Sequence, residues 1–168
     1  MKYKTLIIAA LIASVSTQAQ PGWVKKASKS VFTLKTFNED GSLIGSSNGF
    51  YVGSNGEALS SFAPFKGAHH AVVIDASGKE APVESMMGAN ETYDVAKFRV
   101  ATNKTLPLTI APERQTEGTS VWLLPYREQK AVPHGTINKA ETFNEEYGYY
   151  TVLMHMPEQA VGTPLMNE

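Results

Sequence analysis

Hydrolytic and group-transfer chemistry needs hydroxyls, thiols, imidazoles and carboxylates at set separations. This chain carries four histidines and no cysteine. Cysteine nucleophiles, disulfides and thiolate metal sites are therefore excluded. The last serine is Ser120, so no serine hydroxyl lies anywhere in 121–168. A metal site would have to draw on His69, His70 and His155 with Asp75 or Glu84. Neighbouring residues of a strand point to opposite faces, so His69 and His70 cannot easily share one ion. No metal centre and no cofactor are expected. His134 and His155 sit in or beside expected strands, with no partner at a catalytic spacing.

Three stretches carry a more specific pattern. The first is Ser47-Asn48-Gly49-Phe50-Tyr51-Val52-Gly53, running through the turn Ser54-Asn55-Gly56 to Leu59-Ser60-Ser61-Phe62-Ala63-Pro64-Phe65. The second is Tyr93-Asp94-Val95-Ala96-Lys97-Phe98-Arg99-Val100, and the third is Gln159-Ala160-Val161-Gly162-Thr163-Pro164-Leu165. In order and spacing these resemble the trypsin-like serine proteases, closest to the HtrA/DegP branch. That family reads G-S-G-F, then L-T-x-x-H-V, then D-hydrophobic-A-hydrophobic-L-K, then G-N-S-G-G-P-L. The separations, 63 to 94 and 94 to 161, are compatible with that branch. Glu117-Gly118-Thr119-Ser120-Val121-Trp122 and Val132-Pro133-His134-Gly135-Thr136-Ile137 resemble family strand openings in between. The resemblance covers about residues 30–168.

The resemblance implies a triad in which a histidine takes the proton of a serine nucleophile and an aspartate orients the histidine. Carried over position by position, the histidine place holds Ala63, the serine place holds Val161, and only the aspartate, Asp94, is retained. Neither an alanine nor a valine can hold or give up a proton, so no functional catalytic residues are expected. Thr163 lies two residues past the nucleophile place, with no base implied beside it. The family's oxyanion hole uses the backbone N–H of the nucleophile and of a glycine two residues earlier. That glycine place holds Gln159, which fits a glycine conformation less easily. Asp94 has two readings: an orienter left without its histidine, or an aspartate that satisfies backbone donors at the start of a strand.

The elements needed to position these residues read as β throughout. Strands are expected at 31–37, 43–45, 49–53, 57–61, 71–75, 80–87, 95–100, 120–124, 135–142 and 149–156. The alternation of Ala96, Phe98 and Val100 with Val95, Lys97 and Arg99 marks one buried face. The Asn55-Gly56 pair signals a hairpin, because both residues tolerate positive φ. Turn signals recur about every 8–12 residues, the rhythm of an all-β sandwich or barrel. Only 22–29 looks weakly helical. Met86, Met87, Met154 and Met156 are expected in a core or pocket lining. Glu145-Glu146-Tyr147-Gly148-Tyr149-Tyr150 should form a hairpin tip and strand. By resemblance the fold is a trypsin-like double antiparallel β-barrel, its second barrel incomplete at the C-terminus. Either the chain is a piece of a longer protein or that barrel stays open.

With 168 residues, 42% hydrophobic and 18% charged, the chain has enough apolar material for a core. Residues 1–19 read as a signal peptide: Lys2 and Lys4, an apolar stretch from Leu6 to Val15, and small residues Thr17 and Ala19 before the cut. The apolar stretch falls short of the roughly 20 residues that span a bilayer. The product would be periplasmic or extracellular, with residues 20–168 as one trypsin-like domain and no membrane attachment after cleavage. Loss of Lys2 and Lys4 leaves 13 basic residues against 16 acidic ones, a balance unlike that of a nucleic-acid binder. The function so implied is a non-catalytic peptide- or protein-binding member of the peptidase family. An active serine-type hydrolase with an unrecognised site, or a module packing on downstream domains, are the alternatives. Expressed in full in a bacterial host with a secretory system, the protein should be recovered with Gln20 as its first residue by intact-mass analysis. Recovery of the uncut chain in the cytoplasm would overturn the export reading.

Overall fold

The structure, a computed structural model, describes residues 21–102, 104–126, 131–143 and 147–167, with 143 and 147 described in backbone only. The leader at 1–19 and the acidic tip at Glu145 and Glu146 lie outside the described residues.

A single helical turn, α1 (Val24–Ala27), runs into a 3-10 turn at Ser28–Ser30 and then into the first strand. Six strands follow: β1 (Val31–Phe37), β2 (Leu43–Tyr51), β3 (Glu57–Ser60), β4 (His70–Asp75), β5 (Glu80–Asn90) and β6 (Val95–Val100). They close into a barrel in the order β1-β2-β3-β6-β5-β4, every neighbour antiparallel. Four more, β7 (Ser120–Leu123), β8 (His134–Phe143), β9 (Tyr147–Leu153) and β10 (Leu165–Met166), make an open sheet ordered β10-β7-β8-β9. A closed barrel beside a half-barrel is the trypsin-like double-barrel architecture, with the second barrel incomplete.

Side-chain alternation explains why the first barrel closes. Phe32 and Leu34 of β1, Val73 of β4 and Ala96, Phe98 and Val100 of β6 all point inward and are buried. Their intervening neighbours Lys97 and Arg99 point out, where both reach Glu57 of β3, Lys97 at 3.2 Å. Lys97, hydrogen-bonded to Glu57, holds that carboxyl below its ordinary range. Inside, the Phe98 ring meets Phe32 and Phe65 at 6.2 and 5.2 Å. Tyr51 joins this core, and burial, with a smaller contribution from the Asp75 charge, pushes its phenol up to about 12. The β2–β3 hairpin turns at Gly56, with φ +88°, where a Cβ would come within 2.3 Å of the Val100 carbonyl. Only glycine fits that approach.

A second apolar cluster joins the two halves. Val24, Val31, Leu108, Leu124 and Tyr126 are buried together, with Trp23, Phe50 and Met166 against them. Trp23 packs edge-on to Trp122 of β7 at 5.9 Å. The helical turn thus has a purpose that its weak helical pattern did not reveal: it wedges Trp23 and Val24 between barrel and sheet.

Two features differ from the sequence expectation. The segment 43–53 was expected as two strands and is one, because Ser46, Ser47 and Asn48 continue the ladder to β1. Their polar groups find partners: Ser46 bonds the Leu34 carbonyl and Ser47 the Ser60 hydroxyl. Met86 and Met87 are exposed, as is Met156. Two register irregularities in β5 break the alternation that would have turned one of the first two inward.

Replacing Phe98 by alanine should lower unfolding free energy by about 3–5 kcal/mol, as for other buried aromatics. Arg99→Ala, one residue away on the outer face, should cost under about 1 kcal/mol. Denaturant titration of both variants checks the assignment; equal losses would overturn it.

Candidate functional site

Two hydrogen-bonded corners hold the residues that the sequence singled out. The first is built by Asp94. It lies in the turn between β5 and β6, with φ +52°, a left-handed conformation that asparagine and aspartate tolerate better than most residues. Its carboxylate faces the 3-10 turn Ala63–Phe65. One oxygen accepts the Ala63 N–H at 2.6 Å, and the other accepts the Ser61 hydroxyl. The Asp94 carbonyl accepts the Phe62 N–H. The carboxylate therefore clamps the backbone at 61–63 in place. Ala63 itself is exposed, while Phe65 turns inward to the barrel core.

Asn48 of β2 builds the second corner. Its backbone N–H donates to the Val161 carbonyl at 2.8 Å, and its side-chain amide donates to the Gln159 carbonyl at 2.7 Å. Ser60 donates to the Asn48 carbonyl at 2.6 Å. The segment 159–162 is thereby docked on the closed barrel. Gly162 has φ +81°, and a Cβ there would stand 1.9 Å from the Asn48 carbonyl oxygen. Gln159 has φ +62°. Asp94 and Gln159 are the two non-glycine residues with positive φ among the described residues. Each such residue stores on the order of 1–3 kcal/mol of strain, and such residues cluster at functional sites. The Val161 side chain, 60% exposed, projects to solvent.

The remaining candidates are scattered. His70 stacks on Phe37 at 4.9 Å, with His69 edge-on to it. His134 lies against Trp122 at 4.5 Å. Among the described residues no histidine hydrogen-bonds a serine or threonine hydroxyl, and no three metal-ligating side chains gather. Thr163, the threonine next to the nucleophile place, has a buried hydroxyl with no hydrogen-bond partner. Leu165 pairs with Leu123 in the half-barrel sheet, away from Phe65 in the closed barrel.

Sequence reasoning gave Asn48 and Ser61 no role. Both are buried polar residues beside strand apolar positions. Polar residues in such places need partners, and that is the signal that could have singled them out.

The whole arrangement is similar to known structures. It matches the active form of the Rv3671c protease from M. tuberculosis at a TM-score of 0.71 and 17% sequence identity, covering 87% of this chain and 68% of that one. It also matches the inactive form of a serine-to-alanine mutant of the same protein at a TM-score of 0.67 and 17% identity, covering 87% and 76%. No family model and no curated protein sequence matches the chain. The likeness is one of fold: this is a trypsin-like protease fold, a closed barrel with a half-barrel docked against it.

Asp94→Ala removes the acceptor of two donors and should cost about 2 kcal/mol. Asp94→Asn keeps one acceptor and a left-handed preference, and should cost less than half as much. Thermal unfolding of the pair checks this; equal losses would show that the carboxylate clamp contributes nothing.

Proposed function

We propose that the protein is an exported, non-catalytic member of the trypsin-like peptidase family that binds an extended peptide or protein segment. One observation carries the reading. The two places where this chemistry needs a base and a nucleophile hold the exposed side chains of Ala63 and Val161, while the remaining aspartate is committed to local structure. A triad works only when hydroxyl, imidazole and carboxylate stand in one hydrogen-bonded line. Here Asp94 bonds a serine hydroxyl and a backbone N–H directly, with no imidazole between them.

The surface at Ala63 and Val161 suits binding. Small or apolar side chains replace the polar triad, and β10 begins four residues after Val161. Among the described residues β10 has β7 as its one neighbour in the sheet, so its outer edge is free to accept a strand. An extended peptide there would gain main-chain hydrogen bonds from the edge and specificity from alternate side chains. Export follows from the leader read at 1–19, and places such a partner in the periplasm or outside the cell.

Purified protein should hydrolyse no peptide or ester above background and should resist fluorophosphonate labelling. A peptide selected against it should bind, and Ala63→Trp should weaken that binding at least tenfold while leaving the far-ultraviolet circular dichroism unchanged. Stoichiometric labelling would overturn the non-catalytic reading. Undiminished binding by Ala63→Trp would move the peptide site elsewhere.

A further inference from the structure

Beside Val161 the outer face of the closed barrel opens into a cavity of about 490 Å3. Its walls come from β1, β2 and the docked 159–162 segment. Across the β1–β2 ladder Thr33 faces Asn48 and Lys35 faces Ser46, so all four project from one side of the ribbon. Gln159 and Val161 close the other side. No lining residue is acidic, although acidic residues outnumber basic ones in the chain as a whole.

The donors of this cavity divide into those in use and those left over. The Asn48 amide is held by the Gln159 and Val161 carbonyls, and the Ser46 hydroxyl by the Leu34 carbonyl. The Thr33 hydroxyl is buried and has no hydrogen-bond partner. Lys35 forms no ion pair among the described residues. A buried hydroxyl without a partner is costly unless a ligand or water completes it. An ammonium beside it, with no competing carboxylate, sets the sign of what would do so. Ammonium and hydroxyl donors are matched by a carboxylate, which accepts through two oxygens.

We infer that this cavity is a binding site for a carboxylate, held by the Lys35 ammonium and the Thr33 hydroxyl. The site goes beyond the peptide-binding reading and does not need it. Its lining includes neither Ala63 nor Asp94, and a small ligand would fill it without any strand being added. A carboxylate could reach it as a chain terminus or as an acidic side chain, and size permits either.

The test uses the mature protein, 15N-labelled, and three small probes followed by amide chemical shifts. N-acetylalanine offers a main-chain carboxylate. N-acetylaspartic acid α-amide offers a side-chain carboxylate. N-acetylalaninamide is the neutral control. At least one acid should give saturable shifts confined to residues around 33–35, 46–48 and 159–161, and the neutral amide should give none there. Whichever acid binds more tightly identifies the source. Lys35→Met should weaken that binding about tenfold, Lys35→Arg should retain most of it, and Thr33→Val should weaken it about threefold. The dispersed spectrum of each variant reports on its folding. Binding of the neutral amide as tight as that of the acids, shifts centred elsewhere, or no saturable shift with either acid would overturn the inference. None of these results depends on whether a peptide binds at Ala63, so the two readings fail separately.

Discussion

The contact between Asn48 and the 159–162 segment is the constraint on which the rest of the site depends. One residue of β2 donates twice, from backbone and from side chain, to carbonyls more than a hundred residues later. Those two bonds turn an otherwise independent loop into part of the barrel wall. Ser60, bonded to the Asn48 carbonyl, extends the network into β3, and the adjacent Ser61 carries it to Asp94. Buried polar networks of this kind specify one arrangement, since a half-satisfied version would be worse than an apolar core. Gly162 completes the docking by having no Cβ where the Asn48 carbonyl must sit.

Rigid support comes from the closed barrel. A closed sheet has no free edge and anchors its strands on both sides, so Asn48 and Asp94 are held by a frame that cannot slip in register. The half-barrel differs in kind. Its four strands leave one edge of β9 and one of β10 without a neighbour, and Tyr149, Leu153 and Leu165 stay exposed. The apolar cluster around Val24, Val31 and Leu124 ties it to the barrel. Precision therefore belongs to one half of the molecule and open surface to the other.

Strain is concentrated where the two halves meet the site. Asp94 and Gln159 hold left-handed backbone without being glycine. Asp94 can bear it because its carboxylate is fixed by Ser61 and Ala63. Gln159 can bear it because its carbonyl is fixed by Asn48. In a domain stripped of its proton-transfer groups these costs still fix the backbone at the old site, which a binding surface needs as much as a catalytic one.

Alternation and turn chemistry were legible in the residues themselves. The face formed by Ala96, Phe98 and Val100, the turn at Gly56 and the ordered motifs around Ala63, Asp94 and Val161 all follow from local spacing, because side-chain direction in a strand has period two. The all-β class and the double-barrel expectation rest on that local information. What only the tertiary structure decided is non-local. The strand through Ser46, Ser47 and Asn48 looked broken, because small polar residues are poor strand signals until their partners in Leu34, Ser60 and the 159–161 segment are known. The exposure of Met86 and Met87 depends on irregularities in β5 set by its pairing with β6. The carbonyls that Asn48 holds lie over a hundred positions away, and no spacing rule reaches that far: hydrogen-bond satisfaction is a property of the assembled interior, whereas periodicity is a property of the chain.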